Sequence, residues 1–216
     1  MKRTFSTVLV ALTLLCSGVV SGPVGAASTE HPIAIAAKAA LAGLGTEAPG
    51  TGDRVPAANS TDQSGVATPI GASVETLTAV AAEIAVAVPI DVDAAVTAWR
   101  TTSPPRLRVM LTALSQVGTP YRYGGNTPGG FDCSGLTSYS WASVGVRLPR
   151  TSSLQIEQVV PRDLGQLRPG DVLWRPGHIG MSLGIPDVMV NATQSGRPVE
   201  VKRWGRVIRS GSPIVD

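Results

Sequence analysis

Gly129-Gly130-Phe131-Asp132-Cys133-Ser134-Gly135 is the stretch on which the reading of this 216-residue chain turns. The two leading glycines make a loop whose backbone can take unusual angles and let another molecule come close. Asp132 is suited to cap a helix that starts at Cys133. A thiol in a first helical turn lies at the positive end of the helix dipole, which favours the thiolate, the form that attacks carbonyl carbon. The free backbone N–H groups there can bind the oxyanion that such an attack creates. A lone cysteine is otherwise more often a small buried apolar residue, so the rest of the chain has to decide.

The chain has two cysteines, Cys16 and Cys133. Cys16 lies in a leader. Lys2 and Arg3 precede an uncharged, mainly apolar run at 8–20, and small residues follow at Val24-Gly25-Ala26-Ala27. This layout predicts a secretory signal peptide over 1–27, cut near Ala26 or Ala27. The apolar run is shorter than the roughly 20 residues of a membrane-spanning helix. Leu15 stands where a lipid-attachment signal needs a small residue, so no lipid anchor is expected at Cys16. Export with cleavage leaves Cys133 without a partner thiol, which flags it as reactive.

A nucleophilic cysteine needs a base. Of the two histidines, His31 lies in an Ala/Pro/Gly-rich region, which leaves His178 in Pro176-Gly177-His178-Ile179-Gly180-Met181. A histidine opening a strand is held stiffly while its ring reaches into a cleft, where it can take the thiol proton and later protonate a leaving amine. The orienting partner must come from a neighbouring strand. Asn191, in Val188-Met189-Val190-Asn191-Ala192, fits that place, and the same residue is equally at home at an ordinary strand end.

Composition splits the chain at Ser103-Pro104-Pro105. Residues 28–103 are a low-complexity segment with Pro/Gly-rich linker at 48–71 and helical spacing at 32–44 and 73–88. Residues 104–216 read as the globular domain. Residues 106–216 carry 13 Lys+Arg against 7 Asp+Glu, while 1–105 carry 5 against 8, so the basic half is suited to an anionic partner. For an exported protein that points to wall polymers, and surface solubility would explain the same charge. Helices are predicted at 107–117, 133–144 and 151–159, and short strands at 171–175, 178–184, 188–193, 199–204 and 206–209. Helices first and antiparallel strands second make an α+β fold. One His and one Cys in the domain do not supply a zinc site. No phosphate-binding Gly loop followed by Lys and Ser/Thr appears, and no aromatic-studded basic stripe argues for nucleic acid. No metal, cofactor or nucleic-acid partner is therefore expected.

Several spaced motifs now stand in order: Gly118-Thr119-Pro120-Tyr121-Arg122-Tyr123-Gly124-Gly125, Gly130-Phe131-Asp132-Cys133-Ser134-Gly135-Leu136, Leu148-Pro149-Arg150-Thr151-Ser152 with Gln155, Leu167-Arg168-Pro169-Gly170-Asp171, His178-Ile179-Gly180 and Asn191-Ala192. Through them the chain resembles the NlpC-type ("p-sixty") cell-wall peptidases, papain-like cysteine endopeptidases of bacteria. The resemblance implies a papain-like fold with N-terminal helices packed on a C-terminal antiparallel sheet. It implies cleavage of peptidoglycan stem peptides, often between D-glutamate and the following diamino acid. It assigns Cys133 as nucleophile and His178 as base, and it puts a third polar residue at Asn191, where many members carry His. It places Tyr121, Asp132 and Ser134 beside the substrate. In actinobacterial relatives, whose composition this chain shares, a segment like 28–103 can be a linker or can cover the site. A secreted or wall-associated monomer is expected. Two other readings stay open on the residues alone: a non-catalytic wall-binding protein on the same fold, and an amidase or acyltransferase using the same pair.

Overall fold

The computed structural model of the chain describes residues 30–45 and 72–214. The predicted leader with Cys16, and the Pro/Gly-rich stretch at 48–71, lie outside the described residues.

Three capped helices come first: α1 (Pro32–Gly43), α2 (Val74–Ala87) and α3 (Val92–Arg100). His31 Nδ1, Ser73 Oγ and Asp91 Oδ1 each accept a backbone N–H from the first turn they precede, leaving fewer free amide groups there. Their apolar positions recur at helical spacing and are buried: Ile33, Ala37 and Ala40; Leu77, Val80, Ala81 and Ile84; Ala95, Val96 and Trp99. Sequence spacing anticipates α1 and α2. It misses α3, whose nine residues include three alanines and offer too short a periodic stripe.

Pro104 then opens α4 (Pro104–Leu114), where a first-turn proline lacks only an N–H that would have had no partner in the helix. Val109, Met110, Leu111, Ala113 and Leu114 are wholly buried, because α4 has α1 on one side and the sheet on the other. One continuous core therefore runs across the composition boundary at Ser103. Polar ties cross it as well. The Trp99 indole donates to Leu183 O at 2.7 Å, and Arg203 donates to Pro89 O at 2.7 Å.

Residues 119–131 contain a small hairpin, β1 (Asn126–Thr127) and β2 (Gly130–Phe131), leading into α5 (Cys133–Ala142) and α6 (Ser152–Glu157). The strands β3 (Val160–Pro161), β4 (Pro169–Arg175), β5 (His178–Leu183), β6 (Val188–Asn191), β7 (Glu200–Arg203) and β8 (Arg209–Ser212) form one antiparallel sheet in the order β3-β8-β4-β5-β6-β7. The fold is α+β, with helices packed on an antiparallel sheet. The last strand is 209–212 rather than 206–209. It crosses over to pair with β4 and β3 instead of extending from β7. Strand order of this kind depends on non-local pairing, which alternation along the chain does not encode.

A buried ion cluster secures that crossover. Arg106 on α4, 1% exposed, donates to Asp171 Oδ1 at 2.8 Å and to Pro169 O at 3.0 Å, and its other nitrogen reaches the Ser212 hydroxyl on β8. Arg162 Nε lies 3.0 Å from the second oxygen of Asp171. Asp171→Ala leaves two guanidinium groups around an uncharged gap. It is expected to lower stability by about 3–5 kcal/mol, read as a fall in the urea midpoint. Lys38→Ala, which breaks the exposed pair with Glu30, is expected to cost less than about 1 kcal/mol.

Candidate active site

The start of α5 is built around the Asp132 carboxylate. One oxygen accepts the Gly135 N–H at 2.7 Å, which is the predicted helix cap, and the other accepts the Gly124 N–H at 2.9 Å. Arg150 grips both oxygens, at 3.0 and 2.6 Å, and donates to the Ser134 hydroxyl at 3.0 Å. Burial works to raise the Asp132 carboxyl, but Arg150 and the two N–H donors outweigh it and hold the group below its ordinary range. Gly135 is required here: a Cβ on it would lie 2.0 Å from Gly125 O, so any side chain would push the helix off the loop.

Cys133 is the free cysteine of the described residues and is half-buried, packed against the cluster of Ile156, Val159, Val172 and Ile179. The cluster places the sulfur beside the start of β5, near enough for the Ile179 N–H to act on the thiol. Burial is the largest influence on this thiol and raises its pKa. The Ile179 N–H offsets part of the rise, and the Asp132 charge adds to it. The helix start alone predicts a lowered pKa. The structure reverses that expectation because desolvation of the charged form exceeds the pull of the amide dipoles.

His178 opens β5 directly after the Pro176-Gly177 turn, in which Gly177 takes a φ of 76°. It is buried, and its Nε2 is enclosed without a hydrogen-bond partner. Burial, followed by the positive charges of Arg175 and Lys202, lowers its pKa to about 4. The resting site therefore holds a neutral thiol and a neutral imidazole. Asn191 ends β6 on the same sheet face as His178. It stands opposite Gly180, where an added Cβ would lie 3.4 Å from Asn191 Cβ. Gly180 puts no side chain between the two, so His178 and Asn191 are diagonal neighbours across a bare position. Asn191 is 1% exposed, its Nδ2 has no partner, and the Thr193 hydroxyl lies against its carboxamide.

Of the residues expected beside a substrate, Tyr121 is part-exposed and pairs with Phe131. Burial and the nearby Cys133 and Asp132 raise its phenol pKa. Asp132 and Ser134 are buried and engaged with Arg150. Sequence reasoning assigned Arg150 no role, although it lies inside a quoted motif. It also passed over Thr193, Glu200 and Lys202, which surround Asn191. Their one sequence signal is the alternation Glu200-Val201-Lys202, which puts two opposite charges on one face of a strand.

The family profile described as "NlpC/P60 family" matches residues 118–207, from the loop before the hairpin to the end of the site's strands. A probable endopeptidase of Corynebacterium glutamicum is 32% identical over 176 residues, covering 77% of this chain and 83% of that protein. The chain belongs to the NlpC/P60 family. A probable endopeptidase of Mycobacterium tuberculosis is 41% identical over 114 residues, or 51% of this chain, and the match spans only 28% of that longer protein. Among solved NlpC/P60 structures, the P60 domain of an antigen from M. avium subspecies paratuberculosis is 30% identical, with a TM-score of 0.47 over 52% of this chain and 96% of that one. The peptidoglycan hydrolase RipB from Mycobacterium tuberculosis is 28% identical, with a TM-score of 0.48 over 56% of this chain and 68% of that one.

Two measurements check the electrostatics of this NlpC/P60 site. Iodoacetamide should label Cys133 slowly at pH 6, with a rate that climbs through and beyond the ordinary thiol value of 9.0. A fast, pH-independent rate below neutrality would instead reveal a thiolate–imidazolium pair. The second measurement is stability. His178 holds its proton less tightly in the folded chain, at about 4, than an ordinary imidazole at 6.5. As pH falls the unfolded chain is protonated first, so this contribution is complete above the ordinary value and is lost toward pH 4. The full loss is about 3 kcal/mol, at about 1.36 kcal/mol per pKa unit. Urea denaturation at neutral and acidic pH should show a smaller difference in His178→Gln. The same pH dependence in both proteins would contradict the assignment.

Proposed function

We propose that this chain is an exported cysteine endopeptidase that cleaves peptidoglycan stem peptides, at the bond between D-glutamate and the following diamino acid. Cys133 is the nucleophile, His178 the base and Asn191 the residue that orients it. The observation that carries this reading is the placement of Cys133, in the first turn of α5, against Ile179 at the start of the strand that His178 opens.

The neutral resting pair defines the order of steps. As the sulfur attacks the carbonyl carbon, His178 takes the thiol proton. The negative charge on the carbonyl oxygen is met by the free N–H groups at the start of α5. The C–N bond then breaks, His178 returns its proton to the leaving amine, and a thioester remains on Cys133. Water, deprotonated by His178, hydrolyses the thioester and restores the thiol. Tyr121, Asp132 and Ser134 line the approach to the sulfur, and Arg150, joined to the last two, adds a half-exposed positive charge there. The basic half of the chain fits attraction to anionic wall polymers, a long-range effect that salt should weaken. The protein acts as a monomer at the wall, without cofactor or nucleic acid.

Purified full-length protein and Cys133→Ala are incubated with muropeptides and the products weighed by mass spectrometry. Wild type should release fragments beginning with the diamino acid. The variant should fall below about one part in a thousand of that rate. Equal product from both, or none from either, would sink the proposal. Cleavage at the sugar–peptide amide, or a mass showing transfer to an amine, would replace the endopeptidase with an amidase or an acyltransferase.

A further inference from the structure

Thr193 stands at the centre of a polar cluster that nothing in the proposed reaction uses. Its hydroxyl lies against the Asn191 carboxamide, 3.3 Å from Glu200 Oε1 and 3.0 Å from Lys202 Nζ. Lys202 Nζ also reaches Glu200 Oε1 at 3.2 Å, and Arg197 donates to the other Glu200 oxygen at 2.8 Å. Strand register explains the grouping. Glu200 is paired directly with Asn191 across β6 and β7, and Lys202 follows on the same face. With His178 and Gly180 on β5, one sheet face carries a polar line across three strands.

Proton counting decides which way this line runs. A hydroxyl has one proton and two acceptor sites; an ammonium only donates and a carboxylate only accepts. Lys202 therefore gives a proton to Thr193, and the Thr193 proton belongs to Glu200. Burial acts to raise the Glu200 carboxyl, but its bonds from Lys202 and Arg197 prevail, hold it below the ordinary range and keep it an acceptor. With Asn191 Oδ1 facing Thr193, the single hydroxyl proton would have to serve two acceptors. That orientation also leaves two buried nitrogens, Asn191 Nδ2 and His178 Nε2, without partners. Buried polar atoms are seldom left so. The two ends of a carboxamide have nearly the same shape, so a half-turn exchanges them at no steric cost. After that half-turn Nδ2 would donate to Thr193 Oγ1, and Oδ1 would turn toward β5, where register puts His178 and its unpartnered Nε2 across Gly180.

We infer that Thr193, held by Glu200 and Lys202, is a positioning residue that turns the Asn191 carboxamide oxygen toward His178 and thereby fixes the imidazole proton on Nε2. The Nδ1 lone pair is then free to take the Cys133 proton. This inference rests on the proposed roles of His178 and Asn191, and it extends their support to a residue outside the Cys–His–Asn set.

The experiment has one readout that needs no substrate and one that does. The full-length protein is labelled with ¹⁵N-histidine, and His31→Gln separates the two imidazole spin systems. Wild type should show a slowly exchanging, hydrogen-bonded His178 Nε2–H signal at neutral pH. Thr193→Val, or Thr193→Ala should the valine variant fail to fold, should lose that protection, and Thr193→Ser should keep it. On a stem peptide containing D-glutamate and a diamino acid, Thr193→Val should lower kcat about tenfold with KM unchanged, the size of one hydrogen bond. Thr193→Ser should stay within about twofold of wild type. An unaltered Nε2–H signal in the valine or alanine variant, or a serine variant as impaired as valine, would overturn the inference. A protected signal in a wild-type protein that leaves the stem peptide uncut would support the positioning role and reject the proposed substrate instead.

Discussion

The site depends first on one carboxylate. Asp132 caps α5, ties the helix to the 121–125 loop through Gly124, and pairs with Arg150, which approaches from the segment after α5. Three pieces of chain are joined at its two oxygens, with backbone bonds between the 121–125 loop and 131–132 beside them. Apart from the Ser134 hydroxyl, the donors to Asp132 are a guanidinium and backbone N–H groups, and hydrogen bonds to an ionised carboxylate are the stronger kind when partly sheltered from water. Cys133 follows Asp132 immediately, so whatever orients the cap orients the thiol. The close seat of Gly135 on Gly125 O removes the remaining freedom, because the helix cannot slide without a clash.

Burial sets the ionisation of the site. Isolated fragments of the same sequence would favour a lowered thiol pKa at a helix start and an ordinary imidazole. Packing against Ile156, Val159 and Ile179 withdraws water from the sulfur, and the enclosed face of β5 does the same for His178. Both groups shift toward their uncharged forms, and Arg175 and Lys202 reinforce the effect on the imidazole. In the proposed mechanism a neutral pair keeps Cys133 quiet until proton transfer accompanies attack, and it also makes the imidazole tautomer matter more. With no charge pair to orient the ring, the inferred hydrogen bond from Nε2 to the turned Asn191 carboxamide would have to do so.

The helical N-terminal portion belongs to the same packing problem. Helix α4 has apolar residues nearly all round, so it needs cover on the face turned away from the sheet. Helix α1 supplies that cover with small residues, Ala37 and Ala40, that allow close approach, and α2 packs behind it. Trp99 on α3 fastens the end of β5. Its Ala/Pro/Gly-rich composition set this region apart from the globular domain in the sequence, yet alanine stripes pack well where helices lie close together.

What was legible in the sequence is what short-range geometry determines. The α+β class, the cap at Asp132, the helix from Cys133 and the strand from His178 all follow from residues a few positions apart, because propensity, capping and alternation act over that range. The presence of Asn191 on a strand near His178 was legible too. The tertiary structure decided the rest. It paired the last strand with β4, brought Arg150 to Asp132, placed Gly180 as the gap between His178 and Asn191, and gathered Thr193, Glu200 and Lys202 behind them. It also reversed the expected charge state of Cys133. These features share one physical cause: they arise from desolvation and from contacts between strands or segments far apart in the chain, and the strength of a charge or a hydrogen bond there depends on what surrounds it in space rather than on its neighbours in sequence.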